Sequence, residues 1–248
     1  MKTNHFKIII PSYNNEQWLR ACIRSVKRQE YTNYQCIIVD DCSSDKSCEI
    51  IESETDGVAN FLFIKNTDRK LALRNIYEAI ELSSPNPEDV VITLDGDDFL
   101  YGPEVLSRVN KAYVENDCLM TYGSYAEFPS NKRGKFSRQI PDSIINNNSF
   151  RDSQWMSSHM RTFKIKLWNR ILKEDMLEPD GRFCDGAWDM VFMFPMLEMS
   201  GHRSHFIEDI LYIYNRSNPL NEDKVNHSKL IKSETKIRRM KKYGRTEI

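Results

Sequence analysis

The chain has 248 residues, 40% of them apolar and 29% charged, with only 9 Gly and 9 Pro. That is enough chain to bury a sizeable core without a disulfide or metal staple, and the composition excludes a disordered, collagen-like or low-complexity polymer. Lys plus Arg number 35 against 36 Asp plus Glu, so the net charge is −1 and no global field selects nucleic acid or a membrane surface.

Residues 6–10 are a short apolar run closed by Pro11-Ser12, which reads as a buried strand. Leu19, Cys22, Ile23 and Val26 then fall at i, i+3, i+4 and i+7, one face of a helix. Residues 36–39 make a second strand, stopped by Asp40-Asp41. Ser44 or Asp45 can cap the helix that follows through Ile50-Ile51. Residues 61–64 are a third strand, and a helix carrying Leu71, Asn75 and residues 77–80 runs to Ser83-Ser84-Pro85. Residues 90–94 are a fourth strand, again stopped by acids. Pro103 opens a helix with Val105, Leu106, Val109 and Tyr113 on its face.

After residue 120 the pattern loosens. Residues 120–128 look like strand, and 129–150, rich in Asn, Ser, Lys and Arg, read as a long mobile loop. Residues 159–167 and 211–214 have strand character. Residues 187–199 read as a helix that Pro195 should kink or end. Residues 229–245 hold eight Lys or Arg and one Glu, a basic tail or helix of net charge +7. No run approaches the ~18 apolar residues of a membrane helix, and the run ending at Pro11 is too short for a signal-peptide core. Six scattered cysteines without a C-x-x-C pair fit a reduced chain. The expected location is cytoplasmic, with a peripheral position at a membrane surface left open.

Strands alternating with helices imply a mostly parallel sheet with right-handed crossovers, whose ligands bind beyond the carboxyl ends of the strands. Ser12-Tyr13-Asn14, Asp40-Asp41 and Asp95-Gly96-Asp97-Asp98 would then line one edge. Three carboxylates in four residues repel one another, and a hard cation such as Mg²⁺ or Mn²⁺ relieves that repulsion. The cluster is not an EF-hand: Phe99, Leu100 and Leu106 occupy the positions of its later ligands and glycine. Walker A, G-x-G-x-x-G, H-E-x-x-H and G-x-S-x-G patterns are absent from the sequence.

Residues 8–14 (I-I-I-P-S-Y-N), 37–45 (I-I-V-D-D-C-S-S-D) and 92–98 (I-T-L-D-G-D-D) resemble the blocks of family-2 glycosyltransferases with the GT-A fold. Residues 19–29 and Leu73-Arg74-Asn75 fit the same family. The resemblance covers residues 5–125 well and 155–215 more loosely.

It implies an α/β, Rossmann-like, mostly parallel sheet flanked by helices over residues 1–220, with 221–248 as a basic helical extension. It implies a metal-dependent, inverting transfer from a nucleotide-sugar, a UDP-sugar first, to an acceptor hydroxyl on a glycan. In family terms Pro11, Ser12, Tyr13, Asn14 and Asp41 surround the base, and Arg69, Lys70 or Arg74 lies near the nucleotide or diphosphate. Asp95 and Gly96 then meet the ribose, while Asp97 and Asp98 hold Mn²⁺ or Mg²⁺. Cys42 departs from the family, which usually has Gly there. The family's general base at the start of a late helix matches Asp189 in Gly186-Ala187-Trp188-Asp189, with Asp185 as competitor. Trp155, Trp168, Trp188 and His159 are candidates for sugar or acceptor contact, beside ordinary core packing.

Two other functions compete. A nucleotidyltransferase would want a glycine-rich loop where residues 11–15 have none. A catalytically inactive nucleotide-sugar binding module would not need the acidic cluster or the base. The basic tail could meet an anionic lipid, nucleic acid or a partner domain, and a modified nucleic-acid base is a further acceptor class.

Overall fold

Strands β1 (Phe6–Ser12), β2 (Tyr34–Asp40), β3 (Phe61–Lys65) and β4 (Val90–Thr93) form where the apolar runs require them and pair in parallel, in the order β3-β2-β1-β4. This is seen in a computed structural model that describes residues 3–248, Asp223 through its backbone alone. Side chains alternate between the two faces of a strand. Ile8, Ile10, Cys36 and Ile38 pack with α1 (Leu19–Lys27) and α4 (Val105–Asn116). Ile9, Ile37 and Val91 pack on the other face with α3 (Leu71–Leu82) and α7 (Trp188–Ser200). Both faces of β1, β2 and β4 are covered, which is why those strands read as near-continuous apolar runs, while the edge strand β3 leaves Leu62 exposed. Each fully buried Ile contributes about 1.5–3 kcal/mol.

Beyond β4 the sheet changes character. β8 (Arg161–Lys164) joins β4 antiparallel, and the order continues β8-β6-β9-β5. β6 (Met120–Phe128) and β9 (Ser204–Asn215) pair in parallel, with register shifts between Gly123 and Tyr125. β5 (Phe99–Leu100) closes against β9, and β7 (Lys132–Arg133) pairs with β6.

Several expectations need correction here. The strand expected over 159–167 stops at Lys164 and continues as α6 (Ile165–Trp168), while the strand expected over 211–214 begins at Ser204. Residues 129–150 are not one long loop. They include β7 and α5 (Asp142–Asn146), and Ile140 and Ile145 are buried in the core. Pro195 does not end its helix: α7 runs on to Ser200, with every residue from Met190 to Ser200 buried. Interior Pro costs about 3 kcal/mol, and burial of Phe192, Phe194, Met196 and Leu197 offsets it.

The basic C-terminal residues fold back onto the body. α2 (Ser47–Thr55) packs against α1 and β3, whereas α8 (Glu222–Val225) packs on α9 (His227–Arg238), and α9 packs on α7. Lys229 pairs with Asp185, Lys236 with Glu178 and Lys242 with Asp152. Arg238 donates to the carbonyls of Arg151 and Ser153, and Arg245 to those of Ile145, Leu197 and Glu198. Much of the +7 charge therefore has an internal partner. Among the described residues, no helix is long and apolar enough to cross a membrane.

Candidate functional site

A cleft of about 1260 Å³ opens where β1, β2 and β4 end. Backbone bonds tie those ends together: Asp41 N–H donates to the Ser12 carbonyl at 2.9 Å and Gly96 N–H to that of Pro11 at 3.2 Å. Only glycine fits at position 96, because a Cβ there would stand 2.8 Å from Asn15 Nδ2 and 2.9 Å from Ser12 Oγ.

At one end of the cleft Asp41 organises a turn. Its carboxylate accepts from Lys70 N–H at 2.8 Å, Leu71 N–H at 2.9 Å, Asn66 Nδ2 at 3.0 Å and Arg69 Nε at 3.1 Å. Burial alone would raise its pKa, but Lys70 N–H, the Asn75 and Asn66 amides and Leu71 N–H hold it below the usual carboxylate range. Leu71 needs the anchor, since its φ of 66° is a strained one for a branched residue. The Arg69 guanidinium lies 3.4 Å from the centre of the Tyr13 ring. Pro11, Ser12, Tyr13, Asp41 and Arg69 are thus brought together on the cleft wall. Arg74 and Lys70 are not, as both turn to Glu78. Asn14 supports the wall from outside, its side chain accepting from Ser44 N–H at 2.8 Å. Cys42 has φ 62°, which explains a family glycine there; its Sγ reaches the Asn66 carbonyl at 3.3 Å.

The acidic cluster sits in the middle. Asp98 is fully buried and accepts from Tyr212 Oη at 2.6 Å and Asn215 N–H at 2.7 Å. Asp97 accepts from Asn218 Nδ2 at 2.7 Å. Asp95 faces the guanidinium of Arg161 at 3.5 Å. Burial raises all three carboxyls, and Asp95 rises to about 6 although Arg161 opposes the shift; mutual repulsion adds at Asp95 and Asp98. Such a set fits a hard divalent cation, whose charge would offset what the protein does not. Asp95, Asp98 and His159 each bring a ligand atom within 4.8 Å of the others. His159 is buried, stacked on Tyr212 and Tyr214 at 4.5 and 5.1 Å, and its Nδ1 has no partner. Burial, then the Arg161 charge, keeps the imidazole neutral, the form that can ligate a metal.

At the far end Asp189 stands in the first turn of α7, where the helix dipole favours an anion. It accepts from Arg161 Nη1 at 2.9 Å and from Met190 N–H at 3.0 Å. Arg161 therefore bridges Asp95 and Asp189, and it lies 5.1 Å from the centre of the Trp188 ring. Its own side chain is 2% exposed, so the two carboxylates are what make its burial tolerable. Asp185 lines the same wall but pairs with Lys229 at 2.6 Å. Trp155 and Trp188 line the cleft; Trp168 does not, and stacks on Phe163 in the core at 5.3 Å.

Arg161, Asn218, Tyr212 and Asn215 carry much of this arrangement, and no motif marked them. A lone arginine between strand-forming residues was the available signal for Arg161. The other three lie in a Tyr- and Asn-rich stretch that reads locally only as strand and turn.

Residues 7–174 match the family model for glycosyl transferase family 2. An uncharacterized glycosyltransferase of Haemophilus influenzae is 35% identical over 121 residues, 48% of this chain and 46% of its own length. The glycosyltransferase GlyA of Streptococcus pneumoniae is 27% identical over 69% of this chain and 25% of its own length. The chain thus spans less than half the length of these curated relatives. Among solved structures, TarS 1-349 of Staphylococcus aureus in complex with UDP-GlcNAc superposes with a TM-score of 0.64 at 18% identity, over 86% of this chain and 58% of that one. The mannosyltransferase PcManGT of Pyrobaculum calidifontis, in complex with GDP-Man and Mn²⁺, gives 0.65 at 14% identity, over 98% and 67%. At such identities the structural likeness establishes the fold, a GT-A type α/β architecture.

Proposed function

The chain belongs to glycosyltransferase family 2, and from that premise we propose that it moves a sugar from a nucleotide-sugar to an acceptor hydroxyl, with a divalent cation and inversion at the anomeric carbon. The observation that carries this reading is the single guanidinium of Arg161 joining Asp95 of the acidic cluster to Asp189 across the cleft. One side chain thus touches both an acid proposed for the donor side and the acid proposed as the base. Residues 221–248 complete the cleft wall of a transfer domain spanning 1–220.

Pro11, Ser12, Tyr13 and Asp41 cradle the base, and Arg69 lies beside them. Asp41 acts mainly through the turn it holds, since its oxygens already accept four donors. Asp95 and Gly96 meet the ribose. Asp97 and Asp98 would hold the cation, Mn²⁺ or Mg²⁺, with Asp95 and His159 adjoining. Asp98 is anchored by Tyr212 and Asn215, so Asp97 is the acid free to exchange its amide partner for an ion. When bound, the cation offsets the negative charge that grows on the departing diphosphate.

Asp189 takes the proton of the acceptor hydroxyl, a contribution worth roughly 10²–10⁴-fold. Arg161 holds that carboxylate in place, and Trp155 and Trp188 offer flat apolar faces to a sugar ring. The ligands of the two structural neighbours support a nucleotide-sugar donor, with UDP-sugars the first to try. Screening UDP- and GDP-sugars for Mn²⁺-dependent hydrolysis tests the reading. Nucleotide binding with no turnover of any of them would favour an inactive binding module instead.

A further inference from the structure

His159 is held against the acidic cluster by a frame of tyrosines. Its imidazole stacks on the Tyr212 ring at 4.5 Å and on the Tyr214 ring at 5.1 Å, and the Tyr125 ring stands nearly perpendicular to it at 5.5 Å. Tyr212 also fixes the acids. Its hydroxyl donates to Asp98 Oδ2 at 2.6 Å and accepts from Asp95 N–H at 3.2 Å. One tyrosine thus sets the imidazole and both aspartates relative to one another. A ring nitrogen of His159, an oxygen of Asp95 and an oxygen of Asp98 lie within 4.8 Å of each other. His159 and Asp95 line the cleft, so a small ion can reach the set.

Packing alone does not call for a histidine at this position. The residue is 8% exposed and its Nδ1 has no hydrogen-bond partner, whereas buried polar groups are as a rule paired. A phenylalanine would stack on the same tyrosines and leave no buried nitrogen unmatched. What the imidazole adds is a nitrogen donor beside two carboxylates. Arg161 leaves room for an ion there, since it meets Asp95 only through Oδ2 and only at 3.5 Å, while its closer bond goes to Asp189 at 2.9 Å.

We propose that His159 is a direct nitrogen ligand of the cation, beside Asp98 and Asp95, and that it turns the site from Mg²⁺ toward Mn²⁺ and the later first-row ions. This rests on the reading of the acidic cluster as a cation site. Mg²⁺ is hard, takes oxygen ligands and gives up water reluctantly. Imidazole suits the transition metals, whose affinity for a given site rises along the series that begins with Mn²⁺. A set of carboxylates alone would not discriminate in this way.

Mn²⁺ and Mg²⁺, each alone and with UDP, are the probes. Pulsed EPR of Mn²⁺ bound to the wild-type chain should show modulation from a directly coordinated ¹⁴N nucleus, replaced by that of ¹⁵N in protein labelled with ¹⁵N-histidine. His159→Phe keeps the ring stack and removes both nitrogens. It should lose the nitrogen modulation and at least roughly tenfold in Mn²⁺ affinity, the lower limit already seen for residues that merely support a ligand, with Mg²⁺ affinity reduced less. Circular dichroism identifies a variant that has not folded. His159→Asn then takes its place, and the histidine signal must vanish there too. If neither variant folds, the labelled wild type decides, His159 being the histidine of the set. Bound Mn²⁺ without nitrogen modulation in the wild type overturns the inference and leaves the acidic site standing. Modulation that survives in a folded variant, or Mn²⁺ and Mg²⁺ affinities that fall equally, does the same. A wild type that binds neither ion, with or without UDP, overturns the cation site itself, and this inference with it.

Discussion

In the middle of the cleft, Asp95, Asp97 and Asp98 are three of four consecutive residues at the tip of a buried strand; at the far end, Arg161, Asp189 and Glu222 come from three remote segments. The contiguous cluster forms wherever β4 forms, because its spacing is covalent. Its cost is self-repulsion, and all three carboxyls are raised by burial. The assembled end exists only when β8, α7 and α8 have docked. Its guanidinium pairs with Asp189 and reaches across to Asp95 of the contiguous cluster. The difference teaches that a cluster written in one stretch of chain calls for an external cation, whereas one gathered by the fold can bring its own.

That contrast can be broken experimentally. The largest effect is expected at the contiguous cluster: Asp97→Ala should abolish transfer and weaken Mn²⁺-dependent binding of a nucleoside diphosphate. Unchanged metal-dependent binding in a calorimeter would remove Asp97 from the metal site.

Next comes the assembled end. Asp189→Asn keeps the shape and removes the basicity, and should cut turnover at least ~10²-fold while donor binding persists. Asp185→Asn should be milder, because its carboxylate is tied to Lys229. A dead Asp185→Asn beside an active Asp189→Asn would shift the base by four residues.

Arg161→Met tests whether the fold supplies the neutralising charge. Breaking a buried pair typically costs about 3–5 kcal/mol. The lower end is expected here, since Asp95 and Asp189 keep 25% and 21% of their side chains exposed. Urea denaturation measures it, and a loss within the scatter of surface variants would mean that Arg161 bridges nothing of consequence.

The smallest effect is expected at Asp41, which belongs to neither cluster. Asp41→Asn loses charge-assisted acceptance at the Lys70–Leu71 turn, about 1–3 kcal/mol in stability, and should raise the donor KM. Its folded pKa is depressed, so its contribution is complete above the unfolded value near 3.9 and fades as pH falls below it. Thermal melts from pH 5 to 2.5 should therefore show a shallower acid limb in the variant than in wild type.

The same contrast explains how much was legible. Strands β1, β2 and β4 were readable because burial on both faces writes them as near-continuous apolar runs, and their polar ends announced the cleft edge. Pro11, Ser12, Tyr13, Asp41, Asp95, Gly96 and Asp97 accordingly meet where they were expected to meet. The place of Arg74 at the start of α3 does not say which way it turns, and Glu78, one helical turn on, pairs with it. The ion pairs of the basic segment were out of reach for a related reason. Charge composition does not say where partners lie, and Glu178, Asp185 and Asp152 are distant in sequence.

What the sequence by itself determined is therefore local. Alternation and run length dictate the strands, the 3.6-residue period dictates α1, α3 and α4, and consecutive acids dictate a place that wants a cation. Only the tertiary structure decided that Arg161 joins Asp95 to Asp189, that Asn218 meets Asp97, and that Glu222 stands against the Asp189 turn. Those partners are chosen by which surfaces dock. Docking depends on the summed packing of many apolar side chains rather than on the identity of any one polar residue, so an arginine or glutamate looks the same in the sequence whether it faces water or completes a site.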